Sequence, residues 1–271
     1  MISIVIPTFN AARYIGDTLR SLLSQQLQSS LELIIVDGQS SDETLQICQR
    51  FKEEAAITSC MKPQQSVSIT IYSEPDSGMY DALAKGLGWV QGDIVGYLNA
   101  SDILLPGALC ALERAFSGHP HVRWVTGWNS FMNGDGIITS SRLPIGYPRQ
   151  LVQSYFYGRY NNHIQQESTF WSRELLADID LARLKSFKYA GDFYLWHSFA
   201  EHNTLWTLNA LIGCFRKHPG QLSSALESYH AEALHITEGK RFSVLQAWRY
   251  RLLEQLPNFI KSRIHPTLIS L

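Results

Sequence analysis

Residues 97–102, with the sequence YLNASD, span the end of an apolar run over residues 92–98 that begins with glycine. Such a run predicts a buried β-strand. Asn99, Ser101 and Asp102 follow at once, and open α/β sheets bind their ligands at the carboxyl ends of strands. A carboxylate there could hold a hard divalent cation, and the cation could hold a diphosphate. Alternatively, these three side chains only cap the next helix.

Strand-like and helix-like segments alternate before this stretch. The predicted strands cover residues 3–7, 31–36, 67–72 and 92–98, and the predicted helices cover residues 12–26, 41–51 and 79–90. Residues 52–66 are predicted to form a loop or the tail of a helix. Alternation with short turns predicts an open, mostly parallel α/β sheet that is built with right-handed crossovers.

All four predicted strands end in turns that carry polar side chains. These are Thr8 and Asn10, then Asp37, then Asp76, and finally Ser101 with Asp102. Because the carboxyl ends of parallel strands meet at one edge of a sheet, the four turns should converge on one crevice. Solvated loops would explain any one turn, but four turns in register favour a ligand site.

The nature of the ligand is narrowed by missing motifs. The sequence has neither the dinucleotide-binding motif G-x-G-x-x-G after the first strand nor the P-loop motif G-x-x-x-x-G-K-[ST] anywhere. The sequence therefore does not favour assignment to either of these two classes of protein. A nucleotide could still bind through acidic residues to its base and ribose, with a metal ion on its diphosphate.

Composition narrows the class of protein. The chain has 271 residues, 17% of them charged, which fits one large well-packed domain or one domain with an appendage. The formal net charge of −1 gives no field that would favour nucleic acid as a partner. Cys48, Cys60, Cys110 and Cys214 have no metal-ligand spacing and suit a reducing compartment. The first residues lack a basic signal segment, and no apolar window has a membrane-spanning length, so we expect a cytoplasmic protein.

Four sequence blocks resemble, in the right order, the family 2 glycosyltransferases. They are residues 5–10 (VIPTFN), 34–44 (IIVDGQSSDET), 74–82 (EPDSGMYDA) and 98–102 (LNASD). Members of this family are inverting enzymes with the GT-A fold that use nucleotide-diphosphate sugars, most often with uridine. The resemblance implies a single α/β domain of the GT-A type, an open and mostly parallel Rossmann-like sheet flanked by helices, with a C-terminal helical extension. It divides the chain into a donor-binding half (1–110), an acceptor-binding and catalytic half (111–235) and a basic helical tail (236–271).

The resemblance also implies a set of residues that bind the donor nucleotide. They are Pro7, Thr8, Asn10, Asp37, Asp76, Lys85, Asn99, Ala100 and Ser101. Within this set, Asp37 lies where the family has its nucleobase and ribose pocket, and Asp76 is expected on the base or ribose-phosphate side. Lys85 is placed to meet a phosphate, although a solvated helix lysine is the alternative.

The same resemblance implies a divalent metal ion, Mg²⁺ or Mn²⁺, with Asp102 and His218 as ligands. The family usually has acids where this chain has Asn99 and Ser101. Amide and hydroxyl oxygens still ligate hard cations, but fewer charges should bind them more weakly. For His218, a phosphate contact or an ordinary surface histidine are the alternatives.

Two later blocks supply the predicted catalytic half. Residues 164–171 (IQQESTFW) are similar to the segment that precedes the catalytic acid in the family, and residues 189–196 (YAGDFYLW) place Asp192 at a helix start. By this resemblance Asp192 is the general base, although a helix N-cap is the alternative. Gln166 and Glu167 are predicted to orient the acceptor, with Glu167 as the reserve candidate for the general base. Arg216 is predicted to meet the acceptor or a phosphate. Residues 173–184 are predicted to be helical. Residues 124–128 and 137–139 are predicted to be strands around a hairpin turn at residues 133–136. The aromatic segment 144–162 is predicted to pack in the core or to contact the acceptor.

The tail from Lys240 has six lysines and arginines against one acid, Glu254, with aromatic and aliphatic residues between them. A basic amphipathic helix could lie on an anionic membrane surface, at the inner face of the membrane and near a lipid-linked acceptor. The alternative is a helix that packs on the domain with a solvated basic face.

Taken together, the sequence predicts an inverting transferase that moves a sugar from a nucleotide-diphosphate sugar, UDP-linked in most of the family, to a glycan or a lipid-linked saccharide in cell-surface polysaccharide biosynthesis. A non-catalytic nucleotide-sugar-binding protein of the same fold is the first alternative, favoured by the charge-poor turn at 99–102. A nucleotidyltransferase is the second, but it needs a glycine-rich basic loop that residues 8–12 do not provide.

Overall fold

The computed structural model describes residues 1–61, 66–159, 163–221 and 225–271, so parts of the predicted segments 52–66 and 144–162 lie outside the described residues. The strands are β1 (Ile2–Thr8), β2 (Leu31–Asp37), β3 (Val67–Ser73), β4 (Ile94–Tyr97), β5 (Ile103–Leu104), β6 (Trp124–Thr126), β7 (Asn129–Met132), β8 (Ile138–Arg142), β9 (Thr169–Ser172), β10 (Trp206–Leu208), β11 (Gly213–Arg216) and β12 (Leu268–Ile269).

The α-helices are α1 (Ile15–Leu23), α2 (Thr44–Met61), α3 (Met79–Leu87), α4 (Ala108–Gly118), α5 (Arg149–Gln153), α6 (Phe156–Arg159), α7 (Leu181–Ser186), α8 (Gly191–Phe199), α9 (Leu226–Ile236), α10 (Val244–Glu254) and α11 (Asn258–Ile264). Short 3₁₀ helices cover Gln166–Ser168 and Arg173–Asp178.

The larger sheet of the described residues has eight strands in the order β12-β10-β6-β9-β4-β1-β2-β3. Strand β1 is buried along its whole length, as expected for a parallel strand that is covered by helices on both faces. It pairs in parallel with β2 and β4, and β2 pairs in parallel with β3. Strand β9 alone runs antiparallel to its neighbours β4 and β6 in this sheet. The predicted open, mostly parallel α/β sheet is confirmed.

The register of these strands aligns their polar ends. Thr8 lies opposite Asp37, and Asp37 lies opposite Ser73. The turns after β1, β2, β3 and β4 therefore meet at one edge, as the sequence predicted.

A smaller sheet in the order β5-β11-β7-β8 packs against the same edge. Strand β11 runs antiparallel to β5 and parallel to β7. Because β5 directly follows Asp102, this sheet brings Arg216, the last residue of β11, next to the 99–102 turn.

Several predicted boundaries were wrong, each for a local reason. Residues predicted as one helix over 173–184 form a 3₁₀ helix and then α7, because the Asp180 carboxylate accepts the N–H groups of Ala182 and Arg183 (2.9 and 3.1 Å) and starts a new helix. The strand predicted over 124–128 ends at Thr126, and the hairpin partner of β8 is β7.

The tail packs on the domain and ends in a strand as well as helices. Strand β12 pairs with β10 and so extends the larger sheet. Lys261 is buried, where its ammonium group donates to Glu254 Oε2 and to the Leu143 carbonyl, both at 2.9 Å. One basic residue of the tail is therefore structural. Across the described ranges, none of the helices combines the length and the apolar character that a bilayer crossing requires.

Candidate active site

The carboxylate that ends β2 is fixed by donors from two neighbouring turns. Asp37 is fully buried, and its Oδ2 accepts the Ser40 N–H at 3.0 Å and the Ser73 hydroxyl at 2.7 Å. The Ser40 hydroxyl donates to Oδ1. Asp37 therefore holds the β2 turn against the end of β3 and forms a rigid wall of the crevice.

The turn after β3 lies directly against the turn after β2. A Cβ atom on Gly38 would lie 2.5 Å from Asp76 Oδ2, so only glycine leaves room for this carboxylate. Asp76 Oδ1 accepts the N–H of Gly78 at 2.9 Å. Burial raises the pKa of Asp76, and the nearby Asp81 and Asp37 charges raise it further.

In the turn after β1, the Thr8 hydroxyl and the Asn10 amide oxygen are already bonded to backbone groups of the protein. The Thr8 hydroxyl donates to the Ile6 carbonyl at 3.0 Å, and Pro7 is buried opposite Val36. Asn10 adopts a left-handed backbone conformation, with φ 45°, and its Oδ1 accepts the Ser41 N–H at 2.9 Å. The first two turns are therefore linked to each other. We call the sheet edge formed by the turns after β1, β2, β3 and β4 the donor edge, because the family resemblance predicts the donor nucleotide there.

Lys85 lies beneath the Asp76 turn. Its ammonium group is 2.8 Å from Glu74 Oε1 and donates to the Pro75 carbonyl at 3.2 Å, and the hydrogen bond to Glu74 raises its pKa. This lysine is paired with Glu74 and is only partly exposed. A phosphate would have to compete with Glu74 for it.

The acid of the 99–102 turn is fully buried. Asp102 Oδ1 accepts the backbone N–H of Arg216 at 2.8 Å, and Oδ2 accepts from Asn99 Nδ2 at 3.4 Å. Burial raises the pKa of Asp102 to about 7. Ala100 is buried beside it, while Ser101 is partly exposed.

Arg216 supports this turn, and its placement does not favour the predicted phosphate contact. Its side chain is only 2% exposed. The guanidinium group donates to the Ser101 carbonyl at 2.8 Å, to the Gly134 carbonyl at 3.2 Å and to Asp17 Oδ2 at 3.1 Å. Each of the three guanidinium nitrogens already donates to a protein oxygen. Arg216 therefore joins α1, the 99–102 turn and the β7–β8 turn.

The residues predicted as metal ligands do not form a coordination set. His218 packs on the Tyr14 ring, 4.7 Å between centroids, and its Nδ1 lies 2.9 Å from the Pro219 carbonyl. Both oxygens of Asp102 are already taken by N–H donors, and the buried Asn99 Oδ1, although unpartnered, is a single neutral oxygen. Within the described ranges, no group of three or more His, Cys, Asp and Glu side chains is spaced for a metal ion. As arranged, these residues do not fit a hard divalent cation.

Gln166 and Glu167 reach the donor edge from the other half of the chain. With its amide oriented to satisfy its neighbours, Gln166 accepts from Asn99 Nδ2 at 3.2 Å and donates to the Tyr97 carbonyl at 3.1 Å. Glu167 is buried, and its Oε1 lacks a hydrogen-bond partner among the described residues. Burial, followed by the charge of Asp102, raises the pKa of Glu167 well above its ordinary value.

Asp192 has one occupied and one open oxygen. Its Oδ1 accepts the Phe193 N–H at 2.7 Å, the Tyr229 hydroxyl at 2.9 Å and the Tyr80 hydroxyl at 3.2 Å. No donor from the described part of the chain bonds Oδ2. Asp192 lies in the first turn of α8 and does not cap it, since the N-cap residue is Ala190. Burial raises the pKa of this carboxyl to about 6.

Three residues that the sequence analysis did not single out hold Asp192 in place. Tyr80, Tyr229 and Glu232 supply these contacts. Tyr80 lies in the 74–82 block, so its position at the donor edge was predicted but its contact was not. Glu232 accepts the N–H groups of residues 188, 189 and 190 at 3.1, 2.8 and 2.8 Å, and so fixes the segment before α8. Tyr229 and Glu232 are three residues apart on α9 and share one face, a spacing too common to signal a site.

The donor edge and Asp192 meet through Tyr80. A Cβ atom on Gly191 would lie 2.4 Å from the Tyr80 ring, so α8 begins in direct contact with α3. The Tyr80 hydroxyl lies within hydrogen-bonding distance of both the Tyr189 carbonyl (3.0 Å) and Asp192 Oδ1 (3.2 Å), and its single proton can be donated to either acceptor. Tyr155, Tyr157 and Tyr229 line a small aromatic cavity. Because the Tyr229 hydroxyl also donates to Asp192, part of the 144–162 segment packs close to this carboxylate.

The sequence profile described as "Glycosyl transferase family 2" matches residues 3–179, well over half of the chain. The chain belongs to glycosyl transferase family 2. Among relatives, a "PGL/p-HBAD biosynthesis glycosyltransferase" of Mycobacterium bovis is 29% identical over 179 residues, which cover 66% of this chain and 62% of the relative. The matched region thus spans less than two thirds of that relative's length.

Two further family 2 comparisons extend over more of the chain. The "GalNAc(5)-diNAcBac-PP-undecaprenol beta-1,3-glucosyltransferase" of Campylobacter jejuni is 23% identical over 241 residues, covering 83% of this chain and 72% of the relative. The structure of S. aureus TarS 1-349 in complex with UDP-GlcNAc superposes with a TM-score of 0.61 at 18% identity, covering 97% of this chain and 70% of that one. These findings confirm the family 2 resemblance and the GT-A-type fold.

Proposed function

We propose that this family 2 protein transfers a sugar with inversion from a nucleotide-diphosphate sugar to a glycan or lipid-linked acceptor in cell-surface polysaccharide or glycolipid biosynthesis. One observation carries the proposal. The Tyr80 hydroxyl, at the donor edge, bonds Oδ1 of Asp192 and leaves Oδ2 open. Asp192 is therefore held through one oxygen beside the crevice in which the donor nucleotide is proposed to bind. Its other oxygen is placed to act as a base on a second substrate.

In the proposed reaction, Asp192 Oδ2 takes the proton of the acceptor hydroxyl as its oxygen attacks the anomeric carbon of the donor sugar. The new C–O bond forms on the face opposite the diphosphate. The bond between the anomeric carbon and the diphosphate breaks, and its electron pair leaves with the diphosphate. With a pKa of about 6, the carboxyl is mostly ionised at neutral pH and therefore ready to accept a proton.

The donor would bind at the edge formed by the turns after β1 to β4, with residues 1–110 as the donor half and residues 111–235 as the acceptor half. Asp76 is proposed to contact the base or the ribose, and Asp37 is proposed to line the pocket together with Pro7, Thr8 and Asn10. Asn99, Ala100 and Ser101 are proposed to lie along the diphosphate, and Lys85 is proposed to contact it once released from Glu74. UDP is the first candidate, and the UDP-GlcNAc complex of TarS supports testing it first.

Gln166 and Glu167 are proposed to orient the acceptor, because Gln166 contacts the 99–102 turn and Glu167 is close enough to Asp192 for the charge of that carboxylate to raise its pKa. The C. jejuni relative is named for an undecaprenol-linked acceptor, which supports a lipid-linked saccharide here. The proposal also includes a peripheral contact between the C-terminal tail and the membrane. This contact would involve a surface of the tail that is separate from the crevice.

Mg²⁺ or Mn²⁺ remains part of the proposal only as an ion that takes its ligands mainly from the oxygens of the donor diphosphate. Asp102 and His218 were the predicted ligands, and the geometry commits both to contacts within the protein. Such an ion, when bound, would supply positive charge to the leaving diphosphate. No step of the proposed mechanism depends on it.

The test is calorimetric titration with a panel of nucleoside diphosphates, each with and without Mn²⁺, followed by sugar-transfer assays with the nucleotide that binds. The proposal expects one nucleotide to bind and the matching sugar donor to be consumed in the presence of a lipid-linked acceptor. Nucleotide binding without turnover of any matching donor would instead favour the non-catalytic alternative. No nucleotide binding by folded protein would refute both.

A further inference from the structure

The outer face of α10 exposes a continuous apolar strip. Val244, Leu245, Trp248 and Leu252 are 80%, 76%, 61% and 47% exposed. An α-helix turns by about 100° per residue, so these four side chains fall within one arc of about 100°. Single exposed apolar residues are ordinary, but four on one face of one helix form a patch that calls for a partner. We call this patch the α10 strip.

Arginines flank the α10 strip on both sides. At the same helical spacing, Arg251 lies about 20° before Val244 and Arg249 about 40° beyond Leu245. Both arginines are exposed. The one acid of α10, Glu254, points away from the strip, where it accepts from the Ile145 N–H at 2.6 Å and from Lys261 Nζ at 2.9 Å. The exposed face therefore combines apolar side chains with positive charge and no negative charge.

The opposite face of α10 fixes the strip to the acceptor half. Ala247 is buried there, and Gln246 Nε2 donates to Gln150 Oε1 on α5 at 3.4 Å. Phe242, just before the helix, packs against Phe156 on α6 with 5.3 Å between ring centroids. Because α5 also packs on α8, which carries Asp192, the strip is tied to the elements around the proposed base.

We propose that the α10 strip docks on the surface of an anionic phospholipid bilayer and holds the acceptor half at the membrane. An interfacial helix buries an apolar face among acyl chains and places basic residues at its borders, among the phosphates, as this helix does. A soluble protein partner would not require cations on both borders of an apolar arc. The biological role of this docking rests on the proposed function. Docking would bring a lipid-linked acceptor close to Asp192, the proposed base.

The test is vesicle flotation of the full chain, with vesicles of phosphatidylcholine alone or mixed with one third phosphatidylglycerol, at low and high salt. We expect flotation with the anionic vesicles, weakened by salt. The Leu245→Ser, Trp248→Ser double variant should lower the vesicle partition coefficient at least tenfold. Arg249→Gln and Arg251→Gln should each lower it about fivefold on anionic vesicles only. The matched control is Ile57→Ser, since Ile57 is 63% exposed on α2, and it should float like wild type.

Three outcomes of the flotation experiment would overturn the docking proposal. They are no flotation with either vesicle, equal flotation with both, or wild-type flotation of the double variant. Concentration-dependent self-association in light scattering, lost in the double variant, would show that a second copy covers the strip and would overturn it too. Thermal unfolding of each variant excludes misfolding. Nucleotide titration of the same samples tests the donor site separately, so failure of docking and failure of the proposed function give different results.

Discussion

Two carboxylates from different halves of the molecule, the fully buried Asp102 and the partly buried Asp192, are held in different ways. Asp102, in the turn after β4, has both oxygens bound by N–H donors, whereas Asp192, at the start of α8, receives three donors on one oxygen. Burial raises the pKa of both, to about 7 and about 6. The first is locked into the structure, and the second keeps an oxygen for a substrate.

This difference shows what each half contributes. A carboxyl with a raised pKa stabilises the folded state below its unfolded pKa, and that contribution is lost as the pH rises through its folded pKa. Near neutral pH both residues therefore cost stability when ionised. In exchange for this cost, Asp102 fixes the 99–102 turn through its bond to the Arg216 N–H. Asp192 keeps one carboxylate oxygen that can accept a proton from a substrate.

The sharpest test of the comparison is Asp192→Asn. An amide keeps the shape and the N–H contact of this residue but cannot accept the acceptor's proton, so we expect kcat to fall about 10³-fold. Nucleotide binding should stay within about twofold, since the donor edge is unchanged. Steady-state sugar transfer and calorimetry measure the two effects.

The control for that variant is Asp178→Asn, an exposed acid at the end of the nearby 3₁₀ helix, which should leave kcat unchanged. If Asp192→Asn transfers sugar at the wild-type rate, Asp192 is not the base and the contrast between the two carboxylates has no catalytic meaning.

The sequence predicted the donor edge better than the acceptor side, for physical reasons. Strand periodicity and the turn after each strand fix where Asp37 and Asp76 lie, because parallel strands align their ends. The contacts of Asp192 come from α3 and α9, more than 30 residues away on each side, and no local pattern encodes them. The contacts of Arg216 could not be predicted for the same reason, since an arginine near a phosphate site and an arginine buried against carbonyls look alike in sequence.

Arg216→Met tests whether the donor turn is locked as described. The change removes the side-chain bonds to the Ser101 and Gly134 carbonyls and the pair with Asp17, so we expect the free energy of unfolding to fall by about 3 kcal/mol. Arg20→Met is a matched control, because Arg20 also pairs with Asp17, at 3.1 Å, but on the surface. It should cost less than about 1 kcal/mol in the same urea titration. Equal losses would show that Arg216 has no special role.

Gly38→Ala probes the contact between two donor turns. The added Cβ would lie 2.5 Å from Asp76 Oδ2, so Asp76 must move away from its position beside Asp37. We expect the affinity for the donor nucleotide to fall about tenfold, equivalent to about 1.4 kcal/mol. Gly118→Ala, where a Cβ would meet nothing within 4 Å, should bind the nucleotide as wild type does. Unchanged affinity of Gly38→Ala would remove Asp76 from the proposed donor pocket.

The smallest expected effect bears on how Asp192 is tuned. In the wild type, kcat should fall as the pH drops through about 6, because protonation removes the base. The Tyr229 hydroxyl stabilises the charged carboxylate, so Tyr229→Phe should raise the pKa of Asp192 and move the acidic limb of the kcat profile upward by about one pH unit. At pH 8 its kcat should stay within a few-fold of wild type. Tyr147→Phe, a buried tyrosine that bonds Asn129 and not Asp192, is the control and should leave the limb in place. A uniform loss of kcat at every pH in Tyr229→Phe would mean that Tyr229 only supports the fold, and that the bonds on Oδ1 do not set the proton affinity of the base.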